Sequence, residues 1–422
     1  MPRILCGLFF LLFFLLRPLI AIPAEPVISL NQLIEEALAV NPQIGAARHR
    51  AEAARQQIPQ AGALDDPMLG FGVLNLPDSF DFNVEPMTTK EISLSQKVPF
   101  FGKRRLMREV AERQAEASQS EIDENANQVI KDVKLVFYDL AHVYRATDVT
   151  LRNKAILEDF SRLTQTRYGL GQGIQEDVIR AQVEISRMLD ELLMLEQRRR
   201  ALEARMNMLL NRPTSHPLGV PEEVLFEPRN LDIEQLQQTA LDTSPVLKAL
   251  QNEVSAGVKG LSLANRERYP DFNFRVSYGQ RDIDSELYSG MIEMNLPVFA
   301  KSKQNRKVDE AAARLSARQA EYTGARNEIF FAISDAATMA QRLQKQYELY
   351  RTGIIPQTTV QIQSAMSAYT VNKADFMTLL DSRMRLYRFE LDFHQALTDY
   401  AKSIAVLEAA VGTPLVLGKE QE

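Results

Sequence analysis

Asp271-Phe272-Asn273-Phe274-Arg275-Val276-Ser277-Tyr278 decides how this chain is built. Phe272, Phe274, Val276 and Tyr278 fall on alternate positions, and polar residues fill the gaps. A period of two puts the sets on opposite faces of a strand. Further on, Tyr288, Gly290, Ile292, Met294 and Leu296 alternate with Ser289, Met291, Glu293 and Asn295. Earlier, Ile92, Leu94, Gln96 and Val98 oppose Glu91, Ser93, Ser95 and Lys97. A fourth segment is less regular, with Leu69, Phe71 and Val73 on one face and Gly70, Gly72, Leu74 and Leu76 on the other. The expected strands are about 68–76, 90–98, 271–279 and 288–296. Each has about nine residues, near the ~9–11 of a tilted strand crossing a bilayer. Apolar-out, polar-in alternation is the signature of a water-filled membrane barrel. Two soluble hairpins packed on helices are the alternative.

Closure favours the barrel. Strands in lipid leave no open edge, and the smallest membrane barrels use about eight. Four strands cannot close alone, so copies of the chain must join. Two copies give an eight-stranded barrel whose interior side chains fill, and three leave a lumen. A conducting pore therefore predicts a homotrimer with twelve strands.

Outward from the strands, the chain is written twice. Leu33-Ile-Glu-Glu-Ala-Leu-Ala-Val-Asn-Pro42 is similar to Leu236-Gln-Gln-Thr-Ala-Leu-Asp-Thr-Ser-Pro245, and Pro67 falls on Pro270 at the same offset of 203. Val98-Pro-Phe-Phe-Gly-Lys103 matches Leu296-Pro-Val-Phe-Ala-Lys301, Tyr168 falls on Tyr369, and Pro213 on Pro414. The reading is a first repeat over 25–213, a Pro-rich connector over 214–232, a second repeat over 233–414 and a tail over 415–422. Each repeat opens with a helix, about 30–62 or 233–265. Strands follow, then a long helix, about 103–167 or 301–368, and a return helix, about 174–211 or 374–411. Ala126, Val129, Val133, Phe137, Leu140, Tyr144, Thr147 and Leu151 recur at spacings of three and four. So do Tyr322, Ala325, Ile329, Ile333, Ala336, Ala340, Leu343, Tyr347 and Tyr350, predicting a coiled-coil-like seam. A helix of about 65 residues reaches roughly 98 Å, and the two shorter helices end to end reach about the same. The expected fold is mainly α with a small β part, a rod rather than a globule.

Composition excludes several functions. The net charge of −6 lacks the basic excess of a nucleic-acid binder. Arg3 followed by the apolar run Ile4–Leu16 reads as a signal peptide over 1–24. The single cysteine, Cys6, falls inside it, so neither a disulfide nor cysteine metal ligands are expected beyond it. His49, His142, His216 and His394 are scattered, with no two at ligand spacing on one helix face. Met68, Met87, Met291 and Met294 are apolar filler first, and a methionine-lined metal path only second. No catalytic set and no phosphate loop is visible, so no enzymatic activity, cofactor or bound metal is expected.

The duplicated order, the Asn41-Pro42 and Ser244-Pro245 helix breaks and the tyrosine-led turn before each return helix together resemble the TolC-type outer-membrane efflux family. The segment Glu85-Pro-Met-Thr-Thr-Lys-Glu-Ile-Ser-Leu-Ser-Gln-Lys-Val-Pro-Phe-Phe-Gly-Lys103 is similar to the heavy-metal cation-efflux branch. The resemblance implies a trimeric barrel in outer-membrane lipid, continued into the periplasm by an α-helical tunnel. It also implies a periplasmic adaptor (membrane fusion) protein and an inner-membrane pump of the resistance-nodulation-division type. It makes the bends Tyr168-Gly169-Leu-Gly171-Gln-Gly173 and Tyr369-Thr-Val-Asn372 the periplasmic mouth. Asp177 matches a gate-linking acid and Asp381 one of an acidic ring, while Ala374 departs from a gate arginine that Arg167 or Arg180 would replace. Solvated acids on an exposed face are the plainer reading of both aspartates. A periplasmic coiled-coil adaptor or scaffold, and a protein-secretion duct, remain as alternatives.

Overall fold

A computed structural model describes residues 26–82, 84–281 and 286–415. The expected signal over 1–24 and most of the tail lie outside them. After a short strand β1 (Val27–Ile28) come α1 (Leu30–Val40) and α2 (Pro42–Gly62), then β2 (Met68–Leu74) and β3 (Thr89–Val98). The 67-residue α3 (Lys103–Gly169) and α4 (Gln175–Leu209) follow. Across the connector, β4 (Val220–Pro221) leads to α5 (Ile233–Thr243), α6 (Pro245–Arg266), β5 (Phe272–Gln280) and β6 (Glu286–Met294). The last helices are α7 (Gln304–Leu349), α8 (Ile355–Thr370) and α9 (Phe376–Val411). The element order of the first half thus returns in the second.

Each half's opening helix is broken at the proline. Asn41 ends α1 and caps α2, its Oδ1 accepting from the Gln43 amide at 2.9 Å while its amide donates to the Leu209 carbonyl at 2.9 Å. Pro42 and Pro245 sit at the first helical position, where a missing N–H costs nothing. Helix α3 spans about 100 Å. It packs against α2 and α6 near the sheet and against α4 and α9 farther along. No helix among the described residues is long and apolar enough to cross a membrane.

The four long strands form one antiparallel sheet in the order β2-β3-β5-β6. Its register pairs Phe71 with Ile92, Ile92 with Tyr278, and Tyr278 with Tyr288. One row over, Leu69, Leu94, Val276 and Gly290 align. One face is therefore an apolar field, while Ser93, Ser277 and Ser289 share the other, where Arg275 donates to Ser93 Oγ at 3.2 Å. The apolar face is open to the surroundings: Phe71 is 76% exposed, Val276 60% and Ile292 65%. β2 and β6 each carry one unpaired edge within this sheet.

Three details depart from the sequence expectation. The strand placed at 288–296 runs from Glu286 to Met294, because the backbone turns away at Pro297. The seam of α3 holds at Val129, Val133, Phe137 and Leu140. It then follows Val143, Ala146, Thr150, Asn153 and Leu157 rather than Thr147 and Leu151; Tyr144 keeps an edge contact with the α1 cluster, and Leu151 is 51% exposed. A straight helix drifts about 20° per heptad against a 3.5-residue repeat, and at that height α3 exchanges the α1 cluster for α9 and α4. The second long helix is divided by a π turn at Tyr350–Ile354 just before Pro356. The extra residue frees the carbonyl that the proline ring would otherwise strike.

Midway along the rod the connector forms a strap. β4 pairs in parallel with β1, and Glu222 Oε1 accepts from the Leu30 amide at 2.9 Å, closing the start of α1. Phe226 stacks on Tyr347 at 4.0 Å and Tyr400 Oη donates to the Glu227 carbonyl at 2.8 Å. This strap covers a cleft of about 440 Å³ that holds His142 and His394.

Candidate functional site at the hairpin tips

The two hairpins end in the same turn. At the first, the Gly171 amide donates to the Tyr168 carbonyl at 3.0 Å and the Gln172 amide to the Arg167 carbonyl at 2.8 Å. At the second, Asn372 donates to Tyr369 at 3.2 Å and Lys373 to Ala368 at 2.8 Å. Both turns need one residue in the left-handed region, supplied by Gly171 (φ 71°) and by Asn372 (φ 59°). Gly173 has a different role, since a Cβ there would meet the Arg167 Cβ at 3.3 Å. Gly169 ends the helix with open space around it.

The equivalent tyrosines part company. Tyr369 is buried, packed on Phe376 in the apolar cluster that joins the two hairpins, whereas Tyr168 is half exposed. Arg167 bridges the tips. Its guanidinium lies 4.5 Å from the Tyr369 ring centre, donates to the Tyr369 carbonyl at 2.9 Å, and donates to Asn372 Oδ1. Arg180 stays with its own helix, paired with Glu176; across the gap it donates to Met377 Sδ and feels the Asp381 charge without a hydrogen bond to it. The tie between the tips is therefore Arg167.

Asp177 sits half buried in the first turn of α4, and burial, with Glu176 and Asp375 beside it, pushes its carboxyl up. Asp375 caps α9, accepting the Thr378 amide at 2.8 Å, and the Thr378 hydroxyl first, then this amide, hold its carboxyl below the usual range. Asp381, one and a half turns into α9, is exposed and lines a groove of about 800 Å³ with Glu176, Arg180, Met377 and Arg388. The structure brings Arg167, Tyr369 and Asn372 into contact and leaves Tyr168 and Asp381 free of one another.

One site residue was not singled out in the sequence. Arg383 is 8% exposed, its Nε donating to Asn153 Oδ1 at 2.7 Å, with Glu390 at 4.0 Å. Its signal was available: Leu379, Arg383 and Leu386 share the buried face of α9, so a cation stands where the period demands an apolar residue. It ties α9 to α3 above the tip.

The profile of the outer membrane efflux proteins matches residues 33–212 and again 236–413. The chain belongs to that family. The VceC outer membrane protein of Vibrio cholerae superimposes with a TM-score of 0.78 at 18% identity, covering 91% of this chain and 96% of its own. The open-state MtrE outer membrane channel of Neisseria gonorrhoeae gives 0.76 at 19%, with 91% and 89% covered. The outer-membrane channel OprN gives 0.79 at 17%, again with 91% and 89% covered. No curated protein matches the sequence at a significant level. This efflux protein is a channel component rather than an enzyme, placed in the outer membrane and extending into the periplasm.

Proposed function

We propose that three copies of this efflux protein close a twelve-stranded barrel, with the helices forming a tunnel below it. The carrying observation is the sheet itself: one apolar face, one polar face and two edges without partners. Lipid tolerates neither edge, and joining β6 of one copy to β2 of the next removes all of them. The conduit is passive. An inner-membrane pump of the resistance-nodulation-division type and a periplasmic adaptor deliver the cargo to its periplasmic mouth.

The mouth is the hairpin tips. Arg167 holds the second tip to the first, and a threefold ring of Asp381 carboxylates draws cations to the opening. The adaptor opens the mouth by binding the parted tips better than the tied ones, which is the only way a partner shifts such an equilibrium. The cargo is a metal cation. Glu85–Lys103, similar to the metal-efflux branch, supports that class.

Purified mature protein should run as a trimer in detergent and give discrete conductance steps in planar bilayers. A deletion strain should lose metal tolerance and regain it with the intact gene. A monomer that never partitions into lipid ends the channel reading and returns the chain to a periplasmic scaffold. A trimer that conducts without affecting metal tolerance removes the cargo alone.

A further inference from the structure

The turns after β3 and β6 are copies of one another, yet only the first is covered. Its cover is Tyr269-Pro270-Asp271, the segment leading into β5. Phe100 stacks on Tyr269 at 4.7 Å, and Lys103 Nζ donates to the Tyr269 carbonyl at 2.8 Å and to Asp271 Oδ1 at 2.7 Å. The Phe100 amide donates to the same carboxylate at 2.9 Å, and Lys103 is only 4% exposed. At the second turn Val298, in the place of Phe100, is 75% exposed, and Lys301, in the place of Lys103, is exposed as well. Phe101 and its counterpart Phe299 are exposed in both copies, so their exposure belongs to the turn. The contrast at the other two positions marks a missing cover.

The missing cover stands at the opposite edge of the sheet. Asp65-Asp66-Pro67 leads into β2 as Arg268-Tyr269-Pro270 leads into β5, and all three of its residues are exposed. The charges are complementary. Ala300 replaces Gly102, whose φ is 89°, so the second turn is wound differently and α7 opens only at Gln304. Lys301 and Lys303 are both left exposed on that turn, opposite in sign to Asp65 and Asp66. Asp65 already lies 3.9 Å from Lys97, which leaves Asp66 as the available carboxylate.

We propose that the 296–303 turn of one copy seats on Asp65-Asp66-Pro67 of the next, with Lys301 paired to Asp66. This inter-copy joint would be the between-chain counterpart of the Lys103–Asp271 joint, with its acid two positions earlier, since Met68 stands where Asp271 stands in the second copy. It rests on the reading that copies close into a ring. A ring of three copies would then carry six such joints at the foot of the barrel, three within chains and three between them.

The test uses the full chain in outer-membrane vesicles, in a Cys6→Ser background. Asp66→Cys combined with Lys301→Cys, treated with a short bismaleimide, should give covalent dimers and trimers, and each single substitution only monomers. Asp66→Lys should lose most of the trimer that survives mild heating in dodecyl sulfate, and adding Lys301→Asp should restore it. A trimer-sized particle showing neither the cross-link nor the charge-swap rescue overturns the joint and leaves the ring. A monomer-sized particle from the unsubstituted chain overturns both.

Discussion

Removing the Arg167 side chain should open the channel without dismantling it. In the tied state this guanidinium makes two hydrogen bonds to the second tip, to the Tyr369 carbonyl and the Asn372 amide oxygen, and lies over the Tyr369 ring. Arg167 is half exposed, so each bond is set near the low end for a charged donor, ~1 kcal/mol after solvent competition. The ring contact contributes roughly 0.5–1 kcal/mol at such a site. Arg167→Ala should therefore cost the tied arrangement about 2.5–3 kcal/mol per protomer, on the order of 60- to 150-fold in the closed-to-open ratio. Single-channel recording in planar bilayers reads that ratio as open probability. Arg167→Lys keeps the charge but loses the planar fork and the stacking, and should fall between the two. If Arg167→Ala trimers show unchanged open probability and conductance, the tie does not hold the mouth.

Lys103→Met leaves the partly exposed Asp271 carboxylate without its cation, and should destabilise the protein by about 1–3 kcal/mol; adding Asp271→Leu should recover part of it in thermal melts of the detergent-solubilised protein. Asp381→Asn should weaken cation block and cation selectivity in bilayers, and unchanged values remove Asp381 from the mouth. Burial, with Arg145 and His142 nearby, pushes His394 down to about 4, against an ordinary value of 6.5, while Asp148 opposes the shift weakly. The unfolded chain therefore takes up a proton below pH ~6.5 that the fold refuses until about pH 4. Stability should be level above pH ~6.5 and fall between there and pH ~4; His394→Phe should flatten that slope in denaturant titrations, and an unaltered slope contradicts the burial.

How far the fold was legible depends on the range of the force involved. The faces of the strands were legible because a two-residue period leaves its mark on every neighbouring pair, and the β2-β3-β5-β6 register aligns Phe71, Ile92, Tyr278 and Tyr288 as alternation requires. Their ends were not, since β2 stops at Leu74 and β6 runs from Glu286 to Met294. The seam of α3 read correctly only as far as Leu140, since its later course depends on which helices lie alongside. The π turn at Tyr350–Ile354 left only one local mark, Pro356, which by itself does not tell a kink from a widened turn. The strap pairing Val27–Ile28 with Val220–Pro221 joins segments nearly two hundred residues apart, and two-residue strands carry no period to detect.

The tips divide in the same way. Gly171 and Asn372 announced a left-handed turn by residue type alone. Nothing local distinguished Tyr168 from Tyr369, although the structure exposes one and buries the other, because the difference arises from the neighbouring hairpin. Arg167 could be named as a substitute for the arginine missing at Ala374, but its preference over Arg180 was decided by Glu176, one turn before Arg180, which occupies that guanidinium.

The bare rims of β2 and β6 also govern how such a protein is made. In the proposed ring a lone chain would have no stable resting place in the bilayer, so insertion and association would proceed as one event whose rate climbs steeply with the local supply of chains. It follows that a single defective subunit, sound at one rim and blocked at the other, would halt the growing ring. A minority of such subunits in a cell would disable far more than their own share of pores.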